Sequence, residues 1–182
     1  AVSWIDAGHP IQVSVNVSAT QLTGHRLTSW LRFLLERSAL PAESLIIEIT
    51  ETNQFDDLPD VVGRLNELRE LGLGIAIDDF GAGFSSFARI EQLPATELKI
   101  DLSLIQDDSD DGYATLIEIM EYAHRRGIRV VAEGVETEAQ ARRVEALRCQ
   151  RAQGFLFGRP VPEPEFTRML ATQSAGTQSS GS

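Results

Sequence analysis

A chain of 182 residues, of which 42% are hydrophobic, is long enough to bury the core of one domain. Its net charge of −11 argues against nucleic-acid polymers and anionic lipid surfaces as partners, because both would repel an acidic protein. A single cysteine, Cys149, excludes an internal disulfide and a cysteine-rich zinc site, and the sequence shows neither a long apolar span nor a signal peptide. We therefore expect a cytoplasmic domain that makes no membrane contact.

Six apolar segments rich in β-branched residues predict six buried strands, and segments of helical periodicity separate them. In chain order, the strands are expected at 11–17, 45–50, 73–78, 96–100, 128–133 and 152–156. Helical periodicity is clearest at 27–40, 58–72 and 113–127. Glycines stand where two of these helices should end, at Gly72 and Gly127. Strands that alternate with helices predict a parallel α/β sheet, either a closed barrel or an open doubly wound sheet.

The end of the chain differs in composition from the rest. Residues 172–182 are small and mostly polar, which predicts a disordered tail. We expect residues 1–171 to form the folded domain.

Each predicted strand carries a polar residue within it or directly after it. The carboxyl ends of strands form the active site in βα folds, so we expect these side chains to converge on one mouth. They are Asn16, Glu48, Asp78 with Asp79, Lys99 with Asp101, Glu133 and Gln153. Taken singly, they have simpler explanations: Glu48 could face outward from its strand, and Asp79 could cap the turn at Gly81.

Taken together, these residues offer amide and carboxylate oxygens and one lysine, with no histidine or cysteine. Such hard ligands suit Mg²⁺ or Mn²⁺ rather than zinc. Two such ions held about 3.5–4 Å apart can clamp a phosphodiester and activate a water molecule. We therefore predict a two-ion site in which the metals neutralise Asp78 and Asp79.

Five segments resemble the EAL-domain phosphodiesterases, which hydrolyse the bacterial second messenger cyclic di-GMP. They are VSVNVSATQL, LIIEITET, IAIDDFGAGFSSFARIEQLPATELKID, VVAEGVETEAQ and AQGFLFGRPVP. The resemblance implies an α/β fold, a modified (β/α)8 TIM-like barrel with one antiparallel strand near its start. It also implies that cyclic di-GMP is the ligand and that linear pGpG is the product.

The resemblance further implies a role for each site residue. Glu133 and Lys99 would be catalytic, Glu133 as a candidate general base and Lys99 as the group that steadies or activates the attacking water. Glu51 completes the implied catalytic set, and it would act with the DDFGAGFSS loop to couple loop conformation to metal binding and dimerisation. The implied metal ligands are Asn16, Glu48, Asp78, Asp79 and Glu133. The implied substrate-binding residues are Gln153, Glu136 and Asp101, of which Asp101 would also lie close to the metals.

The sequence departs from the family pattern at its start. The glutamate-alanine-leucine signature that names the family is absent, and six strands are predicted instead of the eight of a complete barrel. We therefore expect a barrel truncated at its N-terminus to about six βα units. Its exposed strand edges would favour a homodimer or higher oligomer, or an unusual closure.

Two alternatives to catalysis by this chain remain open. The first is an inactive cyclic di-GMP receptor that signals through a protein partner, which the missing signature glutamate would favour. The second is a different barrel enzyme that uses divalent metal on another phosphate.

Overall fold

The computed structural model describes residues 1–23, 26–50, 58–82 and 87–177. Its strands form one sheet in chain order, and every neighbouring pair is parallel. They are β1 (Val13–Asn16), β2 (Leu45–Thr50), β3 (Gly74–Phe80), β4 (Glu97–Ile100), β5 (Arg129–Ala132) and β6 (Arg151–Ala152). The predicted six-stranded parallel sheet is confirmed. The antiparallel strand that the family resemblance implies is not among the described strands.

Helices precede and follow the strands, as a βα arrangement requires. They are α1 (Val2–Asp6), α2 (Ala19–Leu22), α3 (Arg26–Arg37), α4 (Leu58–Glu70), α5 (Phe87–Ile90), α6 (Leu102–Ile105), α7 (Asp110–Arg126), α8 (Glu138–Ala146) and α9 (Glu163–Thr177). Gly127 ends α7 in the left-handed conformation with φ of 65°, as predicted. Helix α9 continues to Thr177, so part of the segment with a predicted disordered composition is helical, and 178–182 lie outside the described residues.

The hydrophobic core lies between the sheet and its outer helices. Side chains alternate along a strand, so Ile47 and Ile49 face the helices whereas Glu48 faces the opposite side. Both isoleucines are 1% exposed, and they belong to one cluster with Leu65 of α4 and Ile119 of α7. Burial of each such side chain contributes about 1.5–3 kcal/mol. The apolar face therefore stabilises the fold and leaves the other face free for polar groups.

The sheet is strongly curled. In a flat sheet, β1 and β6 would lie about 24 Å apart. However, Gln12, which directly precedes β1, accepts hydrogen bonds through Oε1 from Arg129 of β5 at 3.2 Å and Arg151 of β6 at 2.5 Å. Helix α1 also contacts α9, because the Trp4 indole donates to Thr167 Oγ1 at 2.9 Å. The curl turns the polar face of the sheet into the concave interior of a partial barrel.

The predicted bounds of the last strand are mostly wrong. Residues 152–156 were expected to form it, but β6 covers only Arg151–Ala152 and a turn follows. An alanine side chain at Gly154 would place Cβ 2.2 Å from the carbonyl oxygen of Val135, so the backbone passes too closely here for any other residue. Phe155, which lies in this turn, is 53% exposed instead of buried in the core. In the described ranges, no helix combines the length and apolarity needed to cross a membrane.

Candidate active site

The strand register brings the predicted polar residues to one face. Asn16 on β1 is in register with Glu48 on β2, and Glu48 is in register with Ala76 on β3. Residues in register on parallel strands face the same side, and Asp78 faces it too because it lies two residues after Ala76. Polar side chains from three strands therefore line the concave face near the carboxyl ends of the strands.

Lys99 of β4 is the centre of a charged cluster. The other members of this cluster are Glu48, Asp78, Asp79 and Glu133. Its side chain is buried, and Nζ lies 2.7 Å from Asp78 Oδ1, 2.8 Å from Glu133 Oε1 and 3.1 Å from Glu48 Oε2. Burial alone would lower the pKa of Lys99, but hydrogen bonds to Asp78 and Glu133, with the added attraction of Glu48, raise it above its ordinary value. The side chain is therefore a protonated ammonium group that bridges three carboxylates.

A break in β3 lets two adjacent aspartates reach the same site. Consecutive strand residues normally face opposite sides, but the pairing of β3 with β4 shifts register between Ile77 and Phe80. Asp79 adopts a left-handed conformation with φ of 56°, which aspartate tolerates better than most residues do. One carboxylate oxygen from each of Asp78, Asp79 and Glu133 consequently lies within 4.8 Å of the other two.

The charges of the cluster do not balance. Glu48, Asp78, Asp79 and Glu133 provide four carboxylates, and Lys99 provides one ammonium group. Burial raises the pKa of Asp79, and the neighbouring charges of Asp78 and Asp101 raise it further. Burial also raises the pKa of Glu133, although the hydrogen bond from Lys99 opposes this. A compact set of carboxylate oxygens with excess negative charge fits a hard divalent cation such as Mg²⁺ or Mn²⁺.

The three predicted substrate-binding residues follow β4, β5 and β6 in the chain. Gln153 follows β6, and its amide nitrogen donates to Glu133 Oε1. Asp101 follows β4, where its carboxylate caps α6. Glu136 is exposed and shares with Gln153 the lining of a cavity of about 700 Å³.

Two predicted site residues are not joined to the cluster by the structure. Asn16 lies at the carboxyl end of β1 with an exposed side chain, and its place as a ligand stays a prediction. Glu51 lies outside the described residues, as do residues 83–86 of the DDFGAGFSS loop.

Sequence reasoning missed the aromatic part of the cavity. Phe155, Phe157 and Phe166 line it, and the guanidinium carbon of Arg159 lies 4.5 Å from the centre of the Phe155 ring. Because residues 152–156 are mostly apolar, their sequence predicts a buried strand. Gly154 and Gly158, which flank residues 155–157, and Pro160 after them are the signals that would have indicated an exposed turn.

Comparison with known proteins places the chain in a family. The EAL domain family model matches residues 2–160, and the chain belongs to the EAL domain family. The predicted family and barrel-type α/β fold are confirmed.

The similarities extend to named phosphodiesterases. The chain is 40% identical over 172 residues to the bifunctional diguanylate cyclase/cyclic di-GMP phosphodiesterase MucR of Pseudomonas aeruginosa, covering 92% of this chain and 25% of that protein. The structure of the PaMucR phosphodiesterase in complex with c-di-GMP has a TM-score of 0.82 at 39% identity, covering 91% of this chain and 68% of that one. The chain spans about a quarter of the length of the curated relatives it matches first.

Two further solved structures share the fold. The EAL domain of Mycobacterium smegmatis DcpA has a TM-score of 0.87 at 32% identity, covering 94% of this chain and 78% of that one. Klebsiella pneumoniae BlrP1, in its complex with manganese and cyclic di-GMP, has a TM-score of 0.78 at 30% identity. The match covers 87% of this chain and 41% of that one. The chain is thus a member of a phosphodiesterase family.

Proposed function

We propose that this chain hydrolyses cyclic di-GMP to linear pGpG and that the reaction depends on Mg²⁺ or Mn²⁺ at a two-ion site. The observation that carries the proposal is the group of carboxylate oxygens from Asp78, Asp79 and Glu133, which lie within 4.8 Å of one another beside Lys99. The complexes of PaMucR with c-di-GMP and of BlrP1 with manganese and cyclic di-GMP support the choice of ligand and metal. Residues 1–171 would form the unit that carries this activity.

The carboxylates and one amide would hold the ions. The proposed ligands are Asn16, Glu48, Asp78, Asp79 and Glu133. When bound, the ions would supply Lewis acidity that polarises the phosphodiester and lowers the pKa of a water molecule. Their charge would also offset the repulsion between an anionic dinucleotide and an acidic cluster.

Lys99 and Glu133 would have opposite roles with respect to protons. The raised pKa of Lys99 keeps the side chain protonated, so it would donate a hydrogen bond and steady the attacking water or the developing charge on the phosphate. It would not accept a proton. The raised pKa of Glu133 makes its carboxylate a better proton acceptor, which suits a general base. Gln153 donates to Glu133 and would fix the orientation of that carboxylate.

The cavity beside the cluster would take part of the dinucleotide. Gln153 and Glu136 provide polar contacts there, and Phe155 and Phe157 provide exposed aromatic faces on which a purine base can stack. Asp101, which follows β4 at the carboxyl end of the sheet, would contact the ligand or support the ions. Glu51 would couple the neighbouring loop to the ions.

The catalytic proposal is tested by product formation. The chain is incubated with cyclic di-GMP in Mg²⁺, in Mn²⁺ and in EDTA, and pGpG is measured by chromatography. We expect pGpG only with metal, and none from Asp78→Asn, because this change removes a carboxylate from the proposed ligand set. Asp108→Asn is the control, since the Asp108 side chain is 95% exposed.

Binding measured by calorimetry in Ca²⁺ separates the alternatives. A chain that binds cyclic di-GMP but yields no pGpG in Mg²⁺ or Mn²⁺ would contradict hydrolysis and favour a receptor. Full turnover by Asp78→Asn would refute the assignment of the site.

We also propose that the chain associates with itself. Strands β1 and β6 are the edges of the described sheet, and exposed edges favour pairing with another chain. Size-exclusion chromatography with light scattering is expected to give a mass of at least two chains. A monomer that unfolds cooperatively would instead favour closure within one chain, through contacts such as that between Trp4 and Thr167.

A further inference from the structure

Ser103 holds the carboxylate of Asp101 with two donors. The Ser103 amide donates to Asp101 Oδ1 at 2.8 Å, and the Ser103 hydroxyl donates to the same oxygen. The amide contact is the ordinary cap of a helix N-terminus. The hydroxyl contact is additional, and it restricts rotation of the carboxylate about its last torsion.

The turn that contains these residues is packed against the turn after β5. Gly134 has φ of 64°, and a Cβ built on it would lie 2.4 Å from Cβ of Leu102. Asp101 and Ser103 flank Leu102, and Glu133 precedes Gly134. The backbone positions of Asp101 and Glu133 are therefore coupled through this contact, whereas the orientation of the Asp101 carboxylate depends on Ser103.

Asp101 lies close enough to the cluster for its orientation to matter. Leu102, the next residue after Asp101, packs against Gly134, which follows Glu133. The Asp101 amide also donates to the carbonyl oxygen of Phe80, at the end of the strand that carries Asp79.

We propose that Ser103 is a positioning residue for the metal site: its hydroxyl fixes the orientation of the Asp101 carboxylate beside the strand end that carries Asp79 and thereby strengthens divalent-cation binding. The inference rests on the proposed function, since it concerns the same ions. Groups that orient ligands in this way typically change metal affinity by about 10- to 100-fold.

Calorimetric titration of the metal-free chain with Mn²⁺ tests the proposal without any measurement of activity. We expect Ser103→Ala to bind Mn²⁺ about tenfold more weakly than the unmodified chain, and Ser103→Thr, which keeps the hydroxyl, to bind within about twofold of it. Ser103 is exposed, so neither change disturbs the core.

Ser109→Ala provides the matched control. Ser109 caps α7 by accepting a hydrogen bond from the amide of Gly112 at 3.0 Å, away from the cluster. The Ser109→Ala variant should have a free energy of unfolding lower by about 1 kcal/mol and an unchanged affinity for Mn²⁺. If both alanine variants weakened Mn²⁺ binding equally, the effect would not depend on the contact between the Ser103 hydroxyl and Asp101, and the inference would be wrong.

The outcomes also separate this inference from the proposed function. An unmodified chain that binds no Mn²⁺ would overturn the two-ion proposal itself. An unmodified chain that binds Mn²⁺, with Ser103→Ala binding equally well, would overturn only the role of Ser103.

Discussion

Glu97 and Lys99 lie two residues apart on the same face of β4, and each is buried beside charges of the opposite sign. Lys99 bridges the carboxylates at the carboxyl end of the barrel. At the amino end of the barrel, Glu97 Oε2 lies 3.3 Å from Arg129 Nη1 and 3.7 Å from Arg151 Nη1. Burial raises the pKa of Glu97, and the two guanidinium groups oppose this. One short strand therefore joins a predominantly acidic layer to a predominantly basic one.

Replacement of Lys99 by methionine should destabilise the metal-free chain strongly. The change leaves buried carboxylates without their cation, and removal of one partner from a buried ion pair costs about 3–5 kcal/mol. Urea denaturation in EDTA measures the loss. Added Mg²⁺ should raise the melting temperature of Lys99→Met more than that of the unmodified chain, because the variant has more uncompensated charge.

Arg125→Met is the control for this prediction. Arg125 Nη1 lies 3.6 Å from Glu121 Oε2, and both side chains are 66% exposed. Exposed pairs contribute about 0–1 kcal/mol, so this variant should stay close to the unmodified chain. If Lys99→Met and Arg125→Met were equally stable, Lys99 would not hold the carboxylates together.

Neutralisation of Asp79 should stabilise the metal-free chain. Its raised pKa means that ionisation is less favourable in the folded state than in the unfolded state, so stability falls as pH rises through the folded-state pKa. At pH 7 in EDTA, Asp79→Asn is therefore expected to melt above the unmodified chain. Excess Mg²⁺ should reverse the order, because the asparagine is a weaker ligand.

The backbone at Asp79 gives a second, opposite expectation. Asp79→Val also removes the charge, but a β-branched residue at φ of 56° is strained by about 1–3 kcal/mol. In EDTA, Asp79→Val should therefore be less stable than Asp79→Asn by about that amount. Equal melting temperatures would contradict the left-handed conformation.

Substitution of Gly154 tests the close approach after β6. In Gly154→Ala the new Cβ would lie 2.2 Å from the Val135 carbonyl oxygen, and because this atom is backbone the turn itself must move. We expect a loss of about 2–3 kcal/mol in the free energy of unfolding, measured by urea denaturation.

Gly63→Ala is the matched comparison. Gly63 lies inside α4, and a Cβ there would meet nothing within 4 Å. Alanine is favoured over glycine in a helix interior by about 0.5–1 kcal/mol, so this variant should be more stable than the unmodified chain. Destabilisation by both substitutions to a similar extent would count against the described turn.

Cys149 should react slowly with alkylating reagents in the folded chain. Burial raises the pKa of its thiol above the ordinary value of 9.0, and its sulfur lies 3.0 Å from the carbonyl oxygen of Arg151. We expect iodoacetamide at pH 8 to label the native chain at least about tenfold more slowly than the chain in urea. Because Cys149 is the single cysteine, the mass change reports this site alone. Equal rates would mean that the thiol is exposed.

The positions of the strands along the chain were predictable from sequence because apolar periodicity is local. Strand β2 spans the residues predicted for it, 45–50, and the polar residues at successive strand ends indicated a common mouth. The contacts of Lys99 could not be predicted in the same way. Its partners come from three other strands, and periodicity indicates which face a residue occupies but not which carboxylate its side chain reaches.

Features that depend on backbone geometry could not be predicted from the sequence either. The register shift at Asp79 follows from the pairing of β3 with β4, which no single segment reveals. The ion pairs of Glu97 were missed because that residue stands at the start of its strand, where an exposed position is the usual expectation.

The alternation of Glu48 with Ile47 and Ile49 makes the site sensitive to the length of the chain within a strand. Insertion or deletion of one residue in β2 would exchange the two faces of the strand. An isoleucine would then face the site, and a carboxylate would enter the hydrophobic core beneath α4. Such a change would damage folding and chemistry together, whereas substitutions can affect them separately. Natural variants of this segment should therefore differ by replacement and keep a constant spacing.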